Sequence, residues 1–189
     1  MTAWLAVFDI GQARAGQKIL VNGGAGGTGS FAVQFARMAG AQVAATSSPG
    51  NADYLRALGA DCVIDYRNQD VTRAVLDWAP DGVDLVVDTV GQGALPQAVA
   101  LTRPGGIVAP IGTLHADEPP HDEVLALQKQ VSIIPTTSTF DDQGRQLRAI
   151  VEALSNGQVR APDITTLPLA EAAEAHRRIQ AGHVRGKIV

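Results

Sequence analysis

The chain has 189 residues, of which 46% are hydrophobic and 18% are charged, and its formal net charge is −4. This composition is ordinary for one folded domain and too apolar for a disordered chain, and a net negative charge without a Lys/Arg-rich run argues against a nucleic-acid surface. No apolar run approaches the roughly 18 residues of a membrane span, and the N-terminus lacks the basic start of a signal peptide. The chain has a single cysteine, Cys62, which excludes an internal disulfide and a multi-cysteine zinc site. We therefore expect a cytoplasmic protein.

Short β-branched runs alternate with segments of helical spacing over the first two thirds of the chain. The predicted strands cover 18–21, 42–46, 62–66, 83–90, 105–112 and 131–136. The predicted helices cover 30–40, 51–59, 71–79 and 93–102. Strands that are apolar on both faces are typical of a parallel sheet with helices on both sides. The pattern predicts an α/β fold, namely a doubly wound, six-stranded parallel Rossmann sheet in strand order 3-2-1-4-5-6.

The last third of the chain breaks this alternation. Helical spacing covers 145–157 and 169–182, and short strands are predicted at 164–169 and 186–189. We therefore divide the chain into a dinucleotide-binding Rossmann domain at 1–140 and a C-terminal tail of helices and short strands at 141–189.

The first predicted strand leads into a glycine-rich segment and then a helix, which is the G-x-G-x-x-G arrangement in its dinucleotide-binding context. The motif consists of Gly24, Ala25, Gly26, Gly27, Thr28 and Gly29. We expect Gly24 to turn the chain out of the strand, Gly26 to let a diphosphate approach the backbone, and Gly29 to let the helix pack closely. The helix N-terminus would offer unpaired N–H groups and a partial positive charge to the phosphates. The competing interpretation is a glycine-rich turn without a ligand.

The end of the second strand bears on which dinucleotide is bound. NAD-binding folds usually place an acid there, about 20 residues beyond the glycines, to hold the ribose hydroxyls. Here the strand ends in Ala45-Thr46-Ser47-Ser48, and the next acid is Asp53. A carboxylate would repel a 2′-phosphate, whereas serine hydroxyls can donate to it, so the sequence favours NADP(H) over NAD(H). Arg56 and Arg67 are either neighbours of that phosphate or members of a solvated face.

Other chemistries lack the residues they need. The four histidines are dispersed along the chain, so we expect no metal site. The Tyr-x-x-x-Lys pair of short-chain dehydrogenases is absent, because Leu58 follows Tyr54 and Asp70 follows Tyr66 at that spacing. Asp88 follows the apolar run 83–87 near the end of the fourth predicted strand, where it is either a general acid or, as is commoner for such a residue, an acceptor for loop amides.

Five segments of the chain together resemble one family. They are ILVNGGAGGTGSFAVQFAR, ALGADCVIDYR, VDLVVDTVG, RPGGIVAPIG and the closing EAAEAHRRIQAGHVRGKIV. In this order they resemble the quinone oxidoreductase-like (zeta-crystallin) branch of the medium-chain dehydrogenase/reductase superfamily, from Thr2 to Val189. The resemblance implies a zinc-independent reductase of quinones, enones or enoyl thioesters that uses NADPH.

The resemblance also implies which residues contact the cofactor. The family's glycine-rich turn falls on the motif above, with Thr28 where members usually have Val. Ser47 and Tyr66 fall where members contact the adenosine ribose and its 2′-phosphate, and Asn51 replaces a Lys that often completes the phosphate site. The crevice beside the nicotinamide ribose would be lined by Thr89, Val90, Gly91, Ile111 and Gly112. The residues that correspond to Arg185 and Lys187, in the terminal R-G-K segment, lie near the cofactor in relatives. For each of the two, a role as a surface charge is an equal alternative.

Members of the family carry a GroES-like catalytic domain before the segment that begins at Thr2, and that domain shapes the substrate pocket. In relatives the segment from about Ile164 onward folds back onto it. The sequence therefore leaves three alternatives. The strands at 164–169 and 186–189 pair with each other, they pair with a second chain, or the protein is a fragment of a longer polypeptide.

Two functional hypotheses follow. The first is an NADPH-dependent oxidoreductase of the quinone or enone type, represented here mainly by its cofactor-binding domain. The second is a stand-alone dinucleotide-binding module or subunit without turnover of its own. No proton donor is assigned by the sequence. The apolar run near Val131 to Thr136 is the outermost predicted strand, and in relatives this edge pairs across a two-fold axis, so we expect a homodimer.

Overall fold

The computed structural model describes residues 1–91, 93–111, 121–137, 143–182 and 184–189. A six-stranded parallel sheet in order β3-β2-β1-β4-β5-β6 lies at its centre, which confirms the predicted topology. The strands are β1 (Lys18–Asn22), β2 (Gln42–Ser47), β3 (Cys62–Asp65), β4 (Val83–Asp88), β5 (Thr102–Pro110) and β6 (Ser132–Ile133). The strand order reverses between β1 and β4, and folds of this type bind ligands in the crevice at the carboxyl ends of those two strands.

Helices cover both faces of the sheet, because successive strand residues point to opposite sides. The helices are α1 (Thr2–Trp4), α2 (Gly27–Met38), α3 (Ala52–Ala57), α4 (Val71–Trp78), α5 (Ala98–Leu101), α6 (Glu123–Lys129), α7 (Gln143–Ser155) and α8 (Ala172–Ala181). Ile19 and Val21 of β1 pack into the core shared with α2, α3 and α7, whereas Leu20 packs into the core shared with α4, α5 and α6. Among the described helices, none is both long enough and apolar enough to cross a lipid bilayer.

The first ten residues form helical turns that the sequence pattern did not indicate. α1 continues as a π-helix at Leu5–Ile10. The Trp4 ring lies 4.4 Å from that of Phe8 and meets Phe35 of α2 edge-on at 5.3 Å, measured between ring centroids. Aromatic pairs of this kind contribute roughly 0.5–1.5 kcal/mol beyond their burial. This cluster therefore attaches the N-terminal segment to α2.

Most predicted elements differ from the structure by one or more residues at their ends, and three in the second half of the Rossmann fold have a clear reason or consequence. The helix predicted at 93–102 is reduced to α5, because Pro96 lacks an N–H and disfavours helical geometry in the residue before it. β5 begins earlier than predicted, at Thr102, and its register with β4 shifts along this stretch. The strand predicted at 131–136 is reduced to the two residues of β6, which do lie at the edge of the sheet.

The C-terminal third is packed against the Rossmann core at its start and exposed beyond it. Ile150 and Ala153 of α7 lie in the same buried cluster as α2, whereas α8 has no buried residue. The short strands β7 (Ile164–Thr165) and β8 (Lys187–Ile188) pair with each other in parallel, which is one of the three alternatives that the sequence left open. The predicted domain boundary at residue 140 lies outside the described residues and stays a prediction.

Candidate functional site

The turn between β1 and α2 is shaped by a glycine that precedes the predicted motif. Gly23 has a φ of +77°, which favours glycine, and its N–H donates to Thr46 Oγ1 at 2.9 Å. Gly24, which we expected to turn the chain out of the strand, lies in the same turn, but the residue with the left-handed φ is Gly23. A Cβ on Gly24 would instead lie 2.9 Å from the Ala45 side chain and 3.1 Å from that of Leu55. Gly24 is therefore required for close packing of the turn on β2 and α3.

Gly29 and Gly26 lack side chains for two different reasons. A Cβ on Gly29, in the first turn of α2, would lie 2.8 Å from the Gly24 Cα, so the helix approaches the turn closely only with glycine here, in agreement with the predicted packing role. Gly26 is the N-cap of α2, with φ −71° and ψ 171°. Among the described residues, and apart from its two chain neighbours, a Cβ on Gly26 would have one neighbour within 4 Å, the Gly23 carbonyl oxygen at 3.5 Å. The space above Gly26 is thus open to a group that approaches from outside.

The N-terminus of α2 is a positive corner of the molecule. In the part of the chain that the structure describes, no side chain caps this helix. Its first turn contains the half-buried Thr28 and no acid. The Lys187 side chain crosses Gly27, where a Cβ would lie 2.7 Å from Lys187 Cγ and 3.2 Å from Lys187 Nζ. Within the described ranges no carboxylate pairs with this ammonium. An ammonium next to the positive end of a helix is unfavourable unless an anion lies between them, so the corner suits a phosphate.

A buried polar network joins the carboxyl ends of β2, β1 and β4. Thr46 Oγ1 donates to Asn22 Oδ1 at 2.7 Å, and Asn22 Nδ2 donates to Asp88 Oδ1 at 2.8 Å. The same carboxylate oxygen accepts the N–H groups of Val90 at 3.0 Å and Gly91 at 3.3 Å. Asp88 thus holds loop amides, the commoner of its two predicted roles. The sequence analysis missed Asn22 and Thr46, although a polar residue at the end of an apolar strand was a usable signal.

The loops after β4 and β5 meet the glycine-rich turn at the crevice. Thr89 Oγ1 donates to the Asn22 carbonyl at 2.7 Å, and the Ile111 N–H donates to the Asp88 carbonyl at 2.8 Å. Val90 is 42% exposed, whereas Gly91 is buried with a φ of +65°. Four of the five residues predicted beside the nicotinamide ribose therefore lie together at this edge. The fifth, Gly112, lies outside the described residues.

The residues predicted around the adenosine ribose gather at the end of β2. Ser47 ends the strand, and its hydroxyl donates to the Ser48 carbonyl at 3.0 Å. Asn51 Nδ2 donates to Ser48 Oγ at 3.1 Å, and the Tyr66 N–H donates to the Ser47 carbonyl at 3.3 Å. Tyr66 is 43% exposed. These three predicted residues thus surround one corner of the sheet.

The charged residues near this corner are held by local contacts. Asp65 lies opposite Ser47 in the β2–β3 register, but its carboxylate accepts from the Arg67 N–H at 3.0 Å and from a side-chain amide in the same turn. Arg56 forms an exposed ion pair with Asp53 at 2.9 Å. The Arg56 guanidinium therefore belongs to a solvated face, which was one of the two roles predicted for it.

The C-terminal tail returns to the glycine-rich turn. The Gly186 N–H donates to the Ala25 carbonyl at 2.9 Å, and Gly186 has a φ of +67°. Arg185 Nε donates to Asp163 Oδ2 at 2.6 Å, and the same guanidinium lies 4.5 Å above the Tyr54 ring centroid. The tail thus brings Lys187 to α2, while Arg185 is held by Asp163 and Tyr54.

The described residues do not fit a zinc ion. Nowhere among them do three His, Cys, Asp or Glu side chains come together in a group that could hold a metal. Cys62 is a half-buried thiol in β3, and its pKa is raised by burial and, to a smaller extent, by the negative charge of Asp61. A raised pKa disfavours the thiolate that zinc requires.

An open cavity of about 350 Å³ lies apart from the glycine-rich turn. It is bordered by Arg37 and Met38 of α2, Leu58 after α3, and the segment 157–160. Gly26 and Arg37 lie at opposite ends of α2, so the cavity is on the order of 15 Å from the turn. It is separate from the crevice at the carboxyl ends of the strands.

Comparison with known proteins agrees with this geometry. The family model described as zinc-binding dehydrogenase matches residues 58–189. The chain is similar to a probable mitochondrial zinc-binding oxidoreductase of Arthroderma benhamiae, at 27% identity over 100% of this chain and 58% of that protein. Among solved structures it is similar to the quinone oxidoreductase from Coxiella burnetii, at 30% identity and a TM-score of 0.82, over 99% of this chain and 56% of that one. It is also similar to CurK enoyl reductase, at 26% identity and a TM-score of 0.85, over 99% of this chain and 58% of that one.

The chain spans less than two thirds of the length of each of these relatives. The family model nevertheless covers more than half of this chain, and the sheet order is that of a Rossmann fold. The chain therefore belongs to the zinc-binding dehydrogenase family of the medium-chain dehydrogenase/reductase superfamily, of which it represents the Rossmann-type cofactor-binding domain.

Proposed function

We propose that this chain binds NADPH and serves as the cofactor-binding part of a quinone or enone reductase. The observation that carries the proposal is the open backbone at Gly26, which lies beside the uncapped N-terminus of α2 and the Lys187 ammonium. A dinucleotide carries a diphosphate in its middle, and bare N–H groups next to a cation suit that charge.

The two ends of the proposed cofactor fall on the two sides of the glycine-rich turn. The end of β2, with Ser47, Asn51 and Tyr66, would hold the adenosine ribose. The ends of β4 and β5, with Thr89 and Ile111, would hold the nicotinamide ribose. The network from Thr46 to Asp88 fixes these strand ends relative to one another, because each of its groups is buried and hydrogen-bonded.

The preference for NADPH over NADH rests on the end of β2. Ser47 stands where an NAD-binding fold usually has an acid. The acid nearest in register, Asp65, uses its carboxylate within its own turn. A 2′-phosphate would therefore meet hydroxyl and amide groups at this corner.

The proposed reaction is the reduction of an electron-poor double bond or a quinone. Bound NADPH supplies a hydride, and the second hydrogen arrives as a proton. The described crevice residues would orient the cofactor and shield the site. Asp88 is buried and accepts from three donors, so we assign it to holding the loop after β4 and not to the reaction. The proton would then come from solvent or from the substrate side. The names of the quinone oxidoreductase and enoyl reductase relatives support this reaction class.

Titration with NADPH and NADH, followed by ligand fluorescence, tests the cofactor. We expect NADPH to bind more tightly, and equal or tighter NADH binding contradicts the preference. Ser47→Asp should weaken NADPH binding about tenfold or more, because a carboxylate near the 2′-phosphate costs more than about 1.4 kcal/mol at partial burial. Ser155→Asp adds the same charge at the far end of α7 and should leave both affinities unchanged.

Incubation with NADPH and a panel of quinones and enones tests the reaction. Sustained NADPH oxidation supports the reductase. Tight binding without oxidation supports the second hypothesis, a dinucleotide-binding module or subunit without turnover of its own.

We also propose that two copies pair through the edge strand near Val131 to Thr136. β6 is the last strand of the sheet, and Ile134, which follows it, is 38% exposed. On the adjacent α6, Val124 is 69% and Leu127 is 82% exposed. An exposed edge with apolar neighbours invites pairing with another chain. Light scattering that gives a monomer mass at micromolar concentration contradicts this proposal.

We further propose that the protein resides in the cytoplasm, with neither nucleic acid nor membrane as a partner. Fractionation of the source cells tests the location.

A further inference from the structure

The buried Tyr54 of α3 receives two arginines from the C-terminal tail. Its side chain is 5% exposed. The Arg185 guanidinium lies 4.5 Å from the ring centroid, and that of Arg160 lies 5.8 Å away. Guanidinium groups within about 6 Å of an aromatic centroid are attracted by the ring face. Tyr54 is therefore a docking point for two separate segments of the tail.

Asp163 links this docking point to Lys187. Its carboxylate accepts from Arg185 Nε at 2.6 Å, and its backbone N–H donates weakly to Tyr54 Oη at 3.4 Å. Its carbonyl accepts the Lys187 N–H at 2.9 Å. A continuous set of contacts therefore runs from the Tyr54 ring through Arg185 and Asp163 to the backbone of Lys187.

The end of the tail, beyond α7, has few other contacts that fix the position of Lys187. β7 and β8 are two residues each, which is too short for independent stability, and α8 contains no buried residue. The Gly186 N–H bonds to the Ala25 carbonyl, which attaches the backbone to the glycine-rich turn at one point. Lysine has a long and flexible stem, so its ammonium reaches a positive helix end only where the backbone is well placed. The contacts around Tyr54 provide a second point of attachment.

We propose that Tyr54 is a positioning residue of the dinucleotide site, which holds the tail through Arg185 and Asp163 so that Lys187 reaches the diphosphate. This inference rests on the proposed dinucleotide binding. Arg185 then acts through Tyr54 and does not contact the cofactor. Since α3 begins just after Asn51, the same helix also supports the corner proposed for the adenosine ribose.

A double-mutant cycle tests the inference on the full chain. Lys187→Gln alone should weaken NADPH binding about fivefold, as for loss of one charged contact to a phosphate. Arg185→Gln breaks a half-exposed ion pair, so the fold is retained, and in that background Lys187→Gln should cost less than about twofold. Arg178→Gln is the matched control, because it removes the same charge from a tail ion pair with Glu174. In this control background the fivefold cost should persist.

Conservative changes at Tyr54 separate the ring from the hydroxyl. Tyr54→Phe keeps the ring and should preserve the full effect of Lys187→Gln, whereas Tyr54→Leu should abolish it. A purely structural role predicts that the Lys187→Gln cost is the same in every background. That additive result overturns the inference.

A second measurement needs no nucleotide. Hydrogen exchange of the Gly186 and Lys187 amides should quicken at least tenfold in Arg185→Gln and stay unchanged in Arg178→Gln, because only the first loses its contact with Tyr54. If the unaltered chain binds no nicotinamide dinucleotide, the proposed function fails while this exchange difference still tests the docking of the tail. Unchanged exchange in Arg185→Gln overturns the inference.

Discussion

Replacing Gly26 by alanine should separate dinucleotide binding from the stability of the fold. Gly26 has φ and ψ values that alanine adopts without strain. Within the described part of the chain, the added Cβ would meet one atom beyond its chain neighbours within 4 Å, at an ordinary contact distance of 3.5 Å. Alanine lowers the conformational entropy of the unfolded chain, which stabilises the folded protein by about 0.4–1 kcal/mol. Alanine is also a poorer N-cap than glycine, which destabilises α2 by a similar amount. The free energy of unfolding should therefore change by less than about 1 kcal/mol, which shifts Tm by no more than about 4 °C in a chain of this size.

The affinity for NADPH should fall much further than the stability. The methyl group would occupy the space above the turn that is proposed for the diphosphate and move the phosphate oxygens away from the first N–H groups of α2. Hydrogen bonds to a charged acceptor contribute about 1.5–3 kcal/mol each. Loss of one such bond at about 2 kcal/mol corresponds to a Kd about thirtyfold higher.

Gly29→Ala provides the comparison, because its Cβ would lie 2.8 Å from a backbone Cα and the helix would have to shift. Overpacking of this kind costs about 1–3 kcal/mol, so Tm should fall by roughly 3–10 °C. Thermal melts by circular dichroism and NADPH titrations on both variants complete the assay. The reasoning is refuted if Gly26→Ala binds NADPH within about threefold of the original chain, or if it loses more stability than Gly29→Ala.

Three further predictions concern the surroundings of the site. Asp88→Leu should lower the free energy of urea unfolding by about 3 kcal/mol, because it leaves a buried side-chain amide and two loop N–H groups without their acceptor; an unchanged urea midpoint contradicts this. Gly186→Ala should speed hydrogen exchange of the β8 amides, because a φ of +67° is strained for alanine. Tm should fall by less than about 2 °C, because the tail is mostly exposed, and unchanged protection of these amides contradicts the prediction. Cys62 should react more slowly with a disulfide reagent at pH 8 than free cysteine does, since a raised pKa lowers the thiolate fraction, and the rate should keep rising above pH 9. Asp61→Asn should lower the pKa of this thiol and speed the reaction.

The strands of the sheet could be predicted from the sequence, because each is an apolar run with its own boundary signals. In β1 the side chains on both faces are buried, namely those of Ile19, Leu20 and Val21. Such continuous apolar runs predict a buried strand without tertiary information. The G-x-G-x-x-G spacing likewise located the turn before α2. The sequence did not indicate that Gly23 adopts the left-handed φ, because composition does not tell which of two adjacent glycines needs it.

The features that the sequence did not predict depend on contacts between distant segments of the chain. The N-terminal helix is held by Trp4 against Phe35, and its own sequence lacks a clear helical period. Tyr54 meets Arg185 and Asp163 only because the tail folds back over α3. The network of Asn22, Thr46 and Asp88 joins three strand ends that are separated along the chain. Local periodicity has no information about such partners.

The return of the tail to the glycine-rich turn has a practical consequence for handling the protein. The backbone N–H of Gly186 is bonded to Ala25, and the Val189 N–H donates to the Thr165 carbonyl at 2.9 Å. An insertion or a proteolytic cut within 184–189 would therefore disturb the segment that contains Lys187. Labels and affinity handles belong away from this segment, and mass spectrometry should show that it is intact before any affinity measurement.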